Sequence, residues 1–303
     1  MTKLGKSVVF IIIFLVAIFS FYIFSRTQTE EEPVVEKEEE EPELVHEWPE
    51  HSVLGTSVEG LDIELYRYEH ESTDQSEDLS HVVFIGGIHG GYEWNSVLLA
   101  YELIDHLEND PEFLPEDTVL SIIPSANPDG VKAVIGKTGR FDISDAPVSR
   151  EETTHGRFNA NGVDLNRNFD CNWEPESTWR GDVVSAGDEP FSEPESKVIR
   201  DFVFDTSPDA VIFWHSMAGA VYGSECNEGI LPGTVGIMEA YAEAADYPAI
   251  PSFDHYDITG DVEGWLASIG IPSITVELTT YDKLEWEENK AGVKAVLEYF
   301  KAE

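Results

Sequence analysis

From Val53 onward, short apolar runs of strand length alternate with longer stretches in which apolar residues recur at helical spacing. His81 to Ile88 (HVVFIGGI) reads as a buried strand, and Val119 to Ile123, Ala210 to Trp214 and Ser273 to Leu278 are further strands. Asn95 to Leu107 carries the helical period, and a last helix is expected from about Glu285 to Lys301. Ser192-Glu193-Pro194-Glu195 reads as a helix start, with Ser as the cap, Pro in the first turn and Glu closing a capping box. No internal repeat is present. The alternation predicts a single α/β domain with a central, mainly parallel or mixed β-sheet flanked by helices.

One apolar run is of another kind. Val8 to Phe24 contains no charge, is flanked by Lys3, Lys6 and Arg26, and has about the minimum length for a membrane span. A cleavable signal would have a shorter apolar stretch followed by a small-residue site, and none is evident from Ser20 to Thr29, so a retained anchor is expected. Lysines before the span and an acidic run after it place the N-terminus in the cytoplasm and the bulk of the chain outside. Glu30 to Glu50 is mostly Glu, opposed only by Lys37 and interrupted by Pro33, Pro42 and Pro49, which reads as a solvated stalk. The expected organisation is a short cytoplasmic tail and single-pass transmembrane anchor over 1–26, an acidic disordered linker over 27–52, and an extracytoplasmic folded domain over 53–303.

Charge narrows the partners. With 60 Asp and Glu against 18 Lys and Arg the formal net charge is −42, which excludes nucleic acid as a partner on electrostatic grounds. The excess continues into the folded part, where it fits either adaptation to salt or high pH, or plain solubility. Cys171 and Cys226 are too few for a disulfide scaffold; one bridge between them and two buried free thiols are both compatible with the sequence. Nothing in the chain sets the oligomeric state.

Ligands of open α/β sheets bind beyond strand ends, and chemistry-bearing residues fall there. His89, Gly90, Gly91, Tyr92 and Glu93 follow the first buried strand, His215 follows Trp214, and Glu277 sits between Val276 and Leu278 in the last strand. Two His and a Glu supply the three protein ligands of a catalytic zinc, and a further Glu can take a proton from water. His46, Glu47 and His51 do not form the helical H-E-x-x-H motif, because Pro49 intervenes and the spacing is wrong. His70, His81, His106, His155 and His255 show no interpretable partner spacing and read as surface or structural residues.

From about His81 to Phe300 the sequence resembles the zinc carboxypeptidases, the metallopeptidases related to pancreatic carboxypeptidases and bacterial carboxypeptidase T. The resemblance is carried by an ordered series: GGIHGGYEWN, NPDG from Asn127, RFNANGVDLNRNF from Arg157, PFSEPE from Pro190, WHSMAG from Trp214, YDITGDVEGW from Tyr256, and ITVEL ending at Leu278. It implies one Zn2+ per chain on His89, Glu93 and His215, Glu277 as the catalytic carboxylate, and Arg157 as the oxyanion donor. Asn166 and Arg167 resemble the clamp for a substrate's terminal carboxylate, and Tyr256 the tyrosine that closes over it. Glu263, with Asp261 beside it, resembles the position that reads the released side chain, where acid implies a basic or amino-bearing residue; the other reading is an ordinary loop carboxylate. One departure stands out. The family usually has two residues between the first His and the Glu, whereas this chain has three, and the paired glycines would let the backbone bulge to return Glu93 to the metal.

The implied reaction is zinc-dependent hydrolysis of the amide bond next to a free C-terminal carboxylate of peptides. A location outside the membrane adds cell-wall stem peptides and environmental peptides to the expected substrates. Two alternatives remain: a zinc amidohydrolase of the aspartoacylase or succinylglutamate desuccinylase type acting on N-acyl amino acids, and a catalytically inactive surface-binding relative.

Overall fold

The computed structural model describes residues 18–23, 50–70, 79–227, 229–253 and 258–301. The chain divides into two units, Met1–Val45 and His46–Glu303. In the first, residues 18–23 are helical with exposed side chains, and the remainder of the expected anchor and most of the expected linker lie outside the described residues. No helix among the described residues is long and apolar enough to cross a membrane.

The second unit is built on an eight-stranded mixed sheet. Its strands are β1 (Glu50–Thr56), β2 (Asp62–Glu69), β3 (Ser80–Ile85), β4 (Thr118–Ile123), β7 (Ala210–Ser216), β8 (Ala220–Gly223), β11 (Ala249–Ile250) and β12 (Ser273–Leu278). They lie in the order β1-β2-β4-β3-β7-β12-β8-β11. Two short hairpins, β5 (Glu176–Trp179) with β6 (Asp182–Ser185) and β9 (Glu225–Cys226) with β10 (Gly229–Ile230), lie outside it. β3, β4, β7 and β12 run parallel to their neighbours in that group, as expected of continuous apolar strands covered on both faces. β1 with β2, β2 with β4 and β8 with β12 pair antiparallel, and β11 pairs parallel with β8.

Alternation along these strands feeds two cores. Val82, Phe84, Ile212, Trp214, Ile274, Val276 and Leu278 face one, which is covered by α1 (Trp94–Asn109), α5 (Pro232–Ala245) and α7 (Trp286–Lys301). Val83, Ile85, Val211 and Phe213 face the other, against α4 (Pro194–Thr206) and α6 (Val262–Ser268). The remaining helices, α2 (Pro128–Ile135) and the single turn α3 (Arg150–Thr153), flank the ends of β3 and β7.

Three expectations are corrected. β3 ends at Ile85 rather than Ile88, because the chain leaves the sheet at Gly86 and turns at Gly87, whose φ of 64° suits glycine. The folded unit begins before Val53: Glu50, His51 and Ser52 pair with Arg67, Tyr66 and Leu65 of β2. The helix at Pro194 is preceded by Glu193 with no side-chain cap, because Ser192 Oγ instead bonds Glu193 Oε1 and accepts from Asn168. Cys171 and Cys226, left open by the sequence, form a disulfide.

Beneath the strand end that carries His215, Trp214 Nε1 donates to Tyr241 Oη at 3.0 Å, and that hydroxyl donates to Asn289 Oδ1 at 2.7 Å, all three residues buried. Tyr241→Phe leaves a buried indole N–H and a buried amide oxygen unpaired, and chemical denaturation should show a loss of about 1–3 kcal/mol. A change below a few tenths would mean that water replaces the hydroxyl. Removal of residues before His46 should leave a protein that melts cooperatively; an aggregate across salt conditions would count against that boundary.

Candidate active site and metal centre

Three strands deliver the central residues from their C-terminal ends. His215 is the penultimate residue of β7 and Glu277 of β12, and the parallel register sets them directly opposite each other. On β12, Thr275 and Glu277 alternate with the core residues Ile274, Val276 and Leu278, so both face a cavity of about 1300 Å³. His89 and Glu93 follow β3, and a tight turn over Gly90–Glu93 accommodates the longer spacing. Gly90 has a φ of 47°, and a Cβ there would lie 2.6 Å from the Gly156 carbonyl oxygen. Gly91 presses equally close to the Gly130 carbonyl. The glycine pair therefore admits the turn against two backbones, and Glu93 reaches the two histidines.

The donor set fits a metal. His89 Nδ1, His215 Nδ1 and Glu93 converge, with Nδ1 to Nδ1 at 3.2 Å, His89 Nδ1 to Glu93 Oε1 at 3.0 Å and His215 Nδ1 to Glu93 Oε2 at 3.1 Å. Ligands about 2.0–2.1 Å from a tetrahedral zinc stand about 3.3 Å from one another, close to these separations. All three side chains are buried, and among the described residues they form the one such metal-binding cluster of His, Cys, Asp and Glu.

The outer nitrogens explain why the inner ones face the metal position. His215 Nε2 lies 3.2 Å from Glu263 Oε1, which also accepts from Thr275 Oγ1 at 2.9 Å. His89 Nε2 lies 3.6 Å from Asp164 Oδ1, both atoms buried without a hydrogen bond, and Asp164 Oδ2 accepts from Arg157 Nε at 2.8 Å. A carboxylate behind each imidazole holds the proton on Nε2 and leaves the Nδ1 lone pair inward, the orienting role that such carboxylates play behind metal-bound histidines. Asp164 was not singled out in the sequence, although it stands inside the NGVDLNRN run; nothing short of the fold shows which side chain backs His89.

Charges in the centre are strongly coupled. Burial, and next the Arg157 guanidinium, lower His89 to about 4. Burial opposes charging of His215 too, but Glu93 and Glu263 raise it to about 10. Glu93 is held well below the usual carboxylate range, its burial outweighed by the two histidines. Burial and the Glu93 charge push Glu277 up to about 7, against His215, while Ala218 N donates to its Oε2 at 3.1 Å. A bound divalent cation would pull Glu277 back down.

The remaining expected residues line the same cavity. Arg157 uses Nε on Asp164, which leaves the outer edge of its guanidinium toward the cavity. Asn166 Oδ1 accepts from Val262 N at 2.9 Å, freeing its amide nitrogen. Arg167 is 2% exposed, and its Nε has no partner. Asp261 and Glu263 lie close together in the wall, where burial and then Glu263 raise Asp261 to about 6. Glu263 thus backs His215 in addition to facing the cavity, a role the sequence did not show. Tyr256 lies outside the described residues.

His89→Ala or His215→Ala should abolish stoichiometric zinc, whereas Asp164→Asn and Glu263→Gln should keep the stoichiometry and weaken affinity by about 10–100-fold in chelator competition. Unchanged affinity in both would remove the orienting role.

The sequence profile described as zinc carboxypeptidase matches residues 35–283. The chain is 31% identical to murein peptide amidase A of Escherichia coli K12 over 131 residues, 40% of this chain and 50% of that one. It is 27% identical to γ-D-glutamyl-L-diamino acid endopeptidase 1 of Lysinibacillus sphaericus over 175 residues, 54% and 43% of the two. With carboxypeptidase B of Helicoverpa zea the identity is 28% over 265 residues, 76% and 58%. The chain thus spans about half the length of the first two relatives. In fold it is similar to carboxypeptidase A of Helicoverpa armigera, with a TM-score of 0.62 at 21% identity, covering 83% of this chain and 69% of that one. It is likewise similar to the murein-tripeptide amidase of Escherichia coli O157, with a TM-score of 0.56 at 22% identity, covering 81% and 90%. Because the profile match runs through the whole sheet from β1 to β12, the chain belongs to the zinc carboxypeptidase family, hydrolases that use zinc.

Proposed function

We propose that this protein is a zinc metallocarboxypeptidase that hydrolyses the amide bond next to a free C-terminal carboxylate. The observation that carries the reading is Arg167, a buried guanidinium with an unpartnered Nε in the cavity that also holds the His89, Glu93 and His215 triad and Glu277. An unpaired buried cation is costly, and a substrate carboxylate accepted in a fork would satisfy it. Asn166, whose amide nitrogen is free, would share the clamp.

Zinc on the triad would polarise the scissile carbonyl and acidify the attacking water. Glu277 then takes the water's proton and passes it to the leaving amine as the C–N bond breaks. Arg157, fixed by Asp164, donates to the oxygen that gains charge in the transition state. Asp261 and Glu263 favour a basic or amino-bearing leaving residue. Two relatives, a murein peptide amidase and a γ-D-glutamyl-L-diamino acid endopeptidase, support cell-wall stem peptides as the substrate class.

For the location, Val8 to Phe24 is proposed as a single-pass anchor, with the domain outside the cytoplasm. The Cys171–Cys226 disulfide supports an oxidising compartment.

Glu277→Gln should retain zinc and lose turnover, since a base is not a ligand; a rate near wild type would refute the assigned mechanism. Arg167→Ala should reduce kcat/KM by about two orders of magnitude on a peptide with a free terminal carboxylate, and far less on its amide. Equal losses on the two substrates would make Arg167 structural and reopen the endopeptidase and amidohydrolase readings.

A further inference from the structure

In a chain with 60 acidic and 18 basic residues, an arginine without a carboxylate partner is anomalous. Among the described residues Arg67, Arg140, Arg157 and Arg200 are each ion-paired. The other three described arginines, Arg150, Arg167 and Arg180, form no ion pair, and all three line the active-site cavity. Arg167 is accounted for by the terminal carboxylate, and Arg180 is exposed.

Arg150 is partly buried and held in place. Its Nη1 donates to the Tyr92 carbonyl at 3.0 Å and its Nη2 to the Ser216 carbonyl at 3.3 Å, while the guanidinium stacks 3.7 Å from the centre of the Tyr92 ring. Those two carbonyls belong to the residues beside the ligands Glu93 and His215, so the charge is fixed within one residue of the metal position on two sides. Arg150 thus touches the segment that follows β3 and the end of β7, whereas Arg167 Nη1 donates to the Asn166 carbonyl and its own carbonyl lies against Gly260, next to Asp261 in the cavity wall. The two guanidiniums therefore sit in different parts of the cavity wall. Placing a terminal carboxylate on Arg167 leaves Arg150, anchored on the residues next to Glu93 and His215, as the fixed unpaired guanidinium available to the acyl portion.

Resting on the carboxypeptidase reading, we propose that Arg150 is a specificity residue that holds a second substrate carboxylate, carried by the residue on the acyl side of the scissile bond. A guanidinium locked on one edge presents its remaining N–H groups as a fork, which suits a planar carboxylate. The carbonyls that lock it are not charged, and among the described residues no carboxylate stands within ion-pair distance of it. The carboxylate has two chemical sources: the α-carboxylate of a γ-linked glutamyl residue, or the side chain of an α-linked glutamyl residue.

The test uses the zinc-loaded full chain and four N-acyl substrates with the same C-terminal lysine: γ-glutamyl and its decarboxylated counterpart 4-aminobutyryl, and α-glutamyl and its counterpart 2-aminobutyryl, the chiral ones in both enantiomers. For wild type, kcat/KM on one glutamyl form should exceed that on its own counterpart by about 30–100-fold, and that form identifies the source. Arg150→Ala should collapse the ratio to about threefold or less, and Arg150→Lys should restore part of it. Because the ratio is taken within one variant, it does not depend on how much of that variant folds, and the lysine variant keeps the test open if the alanine variant does not fold. A wild-type ratio near one, or a ratio untouched by both substitutions, overturns the proposal while leaving the carboxypeptidase reading in place. Failure of wild type to cleave any of the four overturns that reading and this inference with it.

Discussion

The parallel pairing of β7 with β12 on one side and β3 on the other is the constraint from which the site follows. Parallel strands end at the same edge of the sheet, and the crossovers that join them place the intervening chain at that edge as well. In this register His215 and Glu277 are direct neighbours, and a one-residue slip of β12 would turn Glu277 into the apolar core and Val276 into the cavity. The apolar residues Ile274, Val276 and Leu278 forbid that slip. Core packing and catalytic placement are thus enforced by the same three side chains.

Around the triad, buried charge is organised in two short chains. One runs from His89 to Asp164 to Arg157, the other from His215 to Glu263 to Thr275. Each ends in a group that neutralises or hydrogen-bonds the carboxylate, which is the condition for keeping a carboxylate inside a protein. The arrangement also separates roles among four nearby acids. Glu93 is held ionised by the histidines, and Asp164 by Arg157, Arg167 and His89, both against their burial. Burial and the Glu93 charge push Glu277 up instead. Asp261 shares a wall with Glu263 and yields to it.

Arginine is distributed unevenly against the acidic background. Elsewhere among the described residues the guanidiniums have acidic neighbours, while in the cavity three form no ion pair, of which two are held by neutral carbonyls: Arg150 by Tyr92 and Ser216, and Arg167 by Asn166. Long-range repulsion of anions by a net charge of −42 is screened within a Debye length or so, which leaves short-range guanidinium contacts to recognise an anionic substrate.

The sequence by itself determined the α/β class, the four central strands, the helices α1 and α7, the start of α4 and the residues of the metal triad. Those signals are local: continuous apolar runs, helical period, and polar residues that interrupt apolar strands at their ends. The paired glycines at Gly90 and Gly91 even indicated how a longer spacing could still deliver Glu93. The edge strand β1 with its start at Glu50 was not legible, because a half-exposed strand carries weak alternation and depends on a partner for its pairing, and β8 was missed because four residues are too few to show a period. The disulfide was one of two open readings until Cys171 and Cys226 were brought together. Asp164 behind His89, the double duty of Glu263, and Arg150 beside Glu277 were decided only by the tertiary structure. Each of these depends on which side chains, distant in sequence, meet across a strand end, and no local pattern records that.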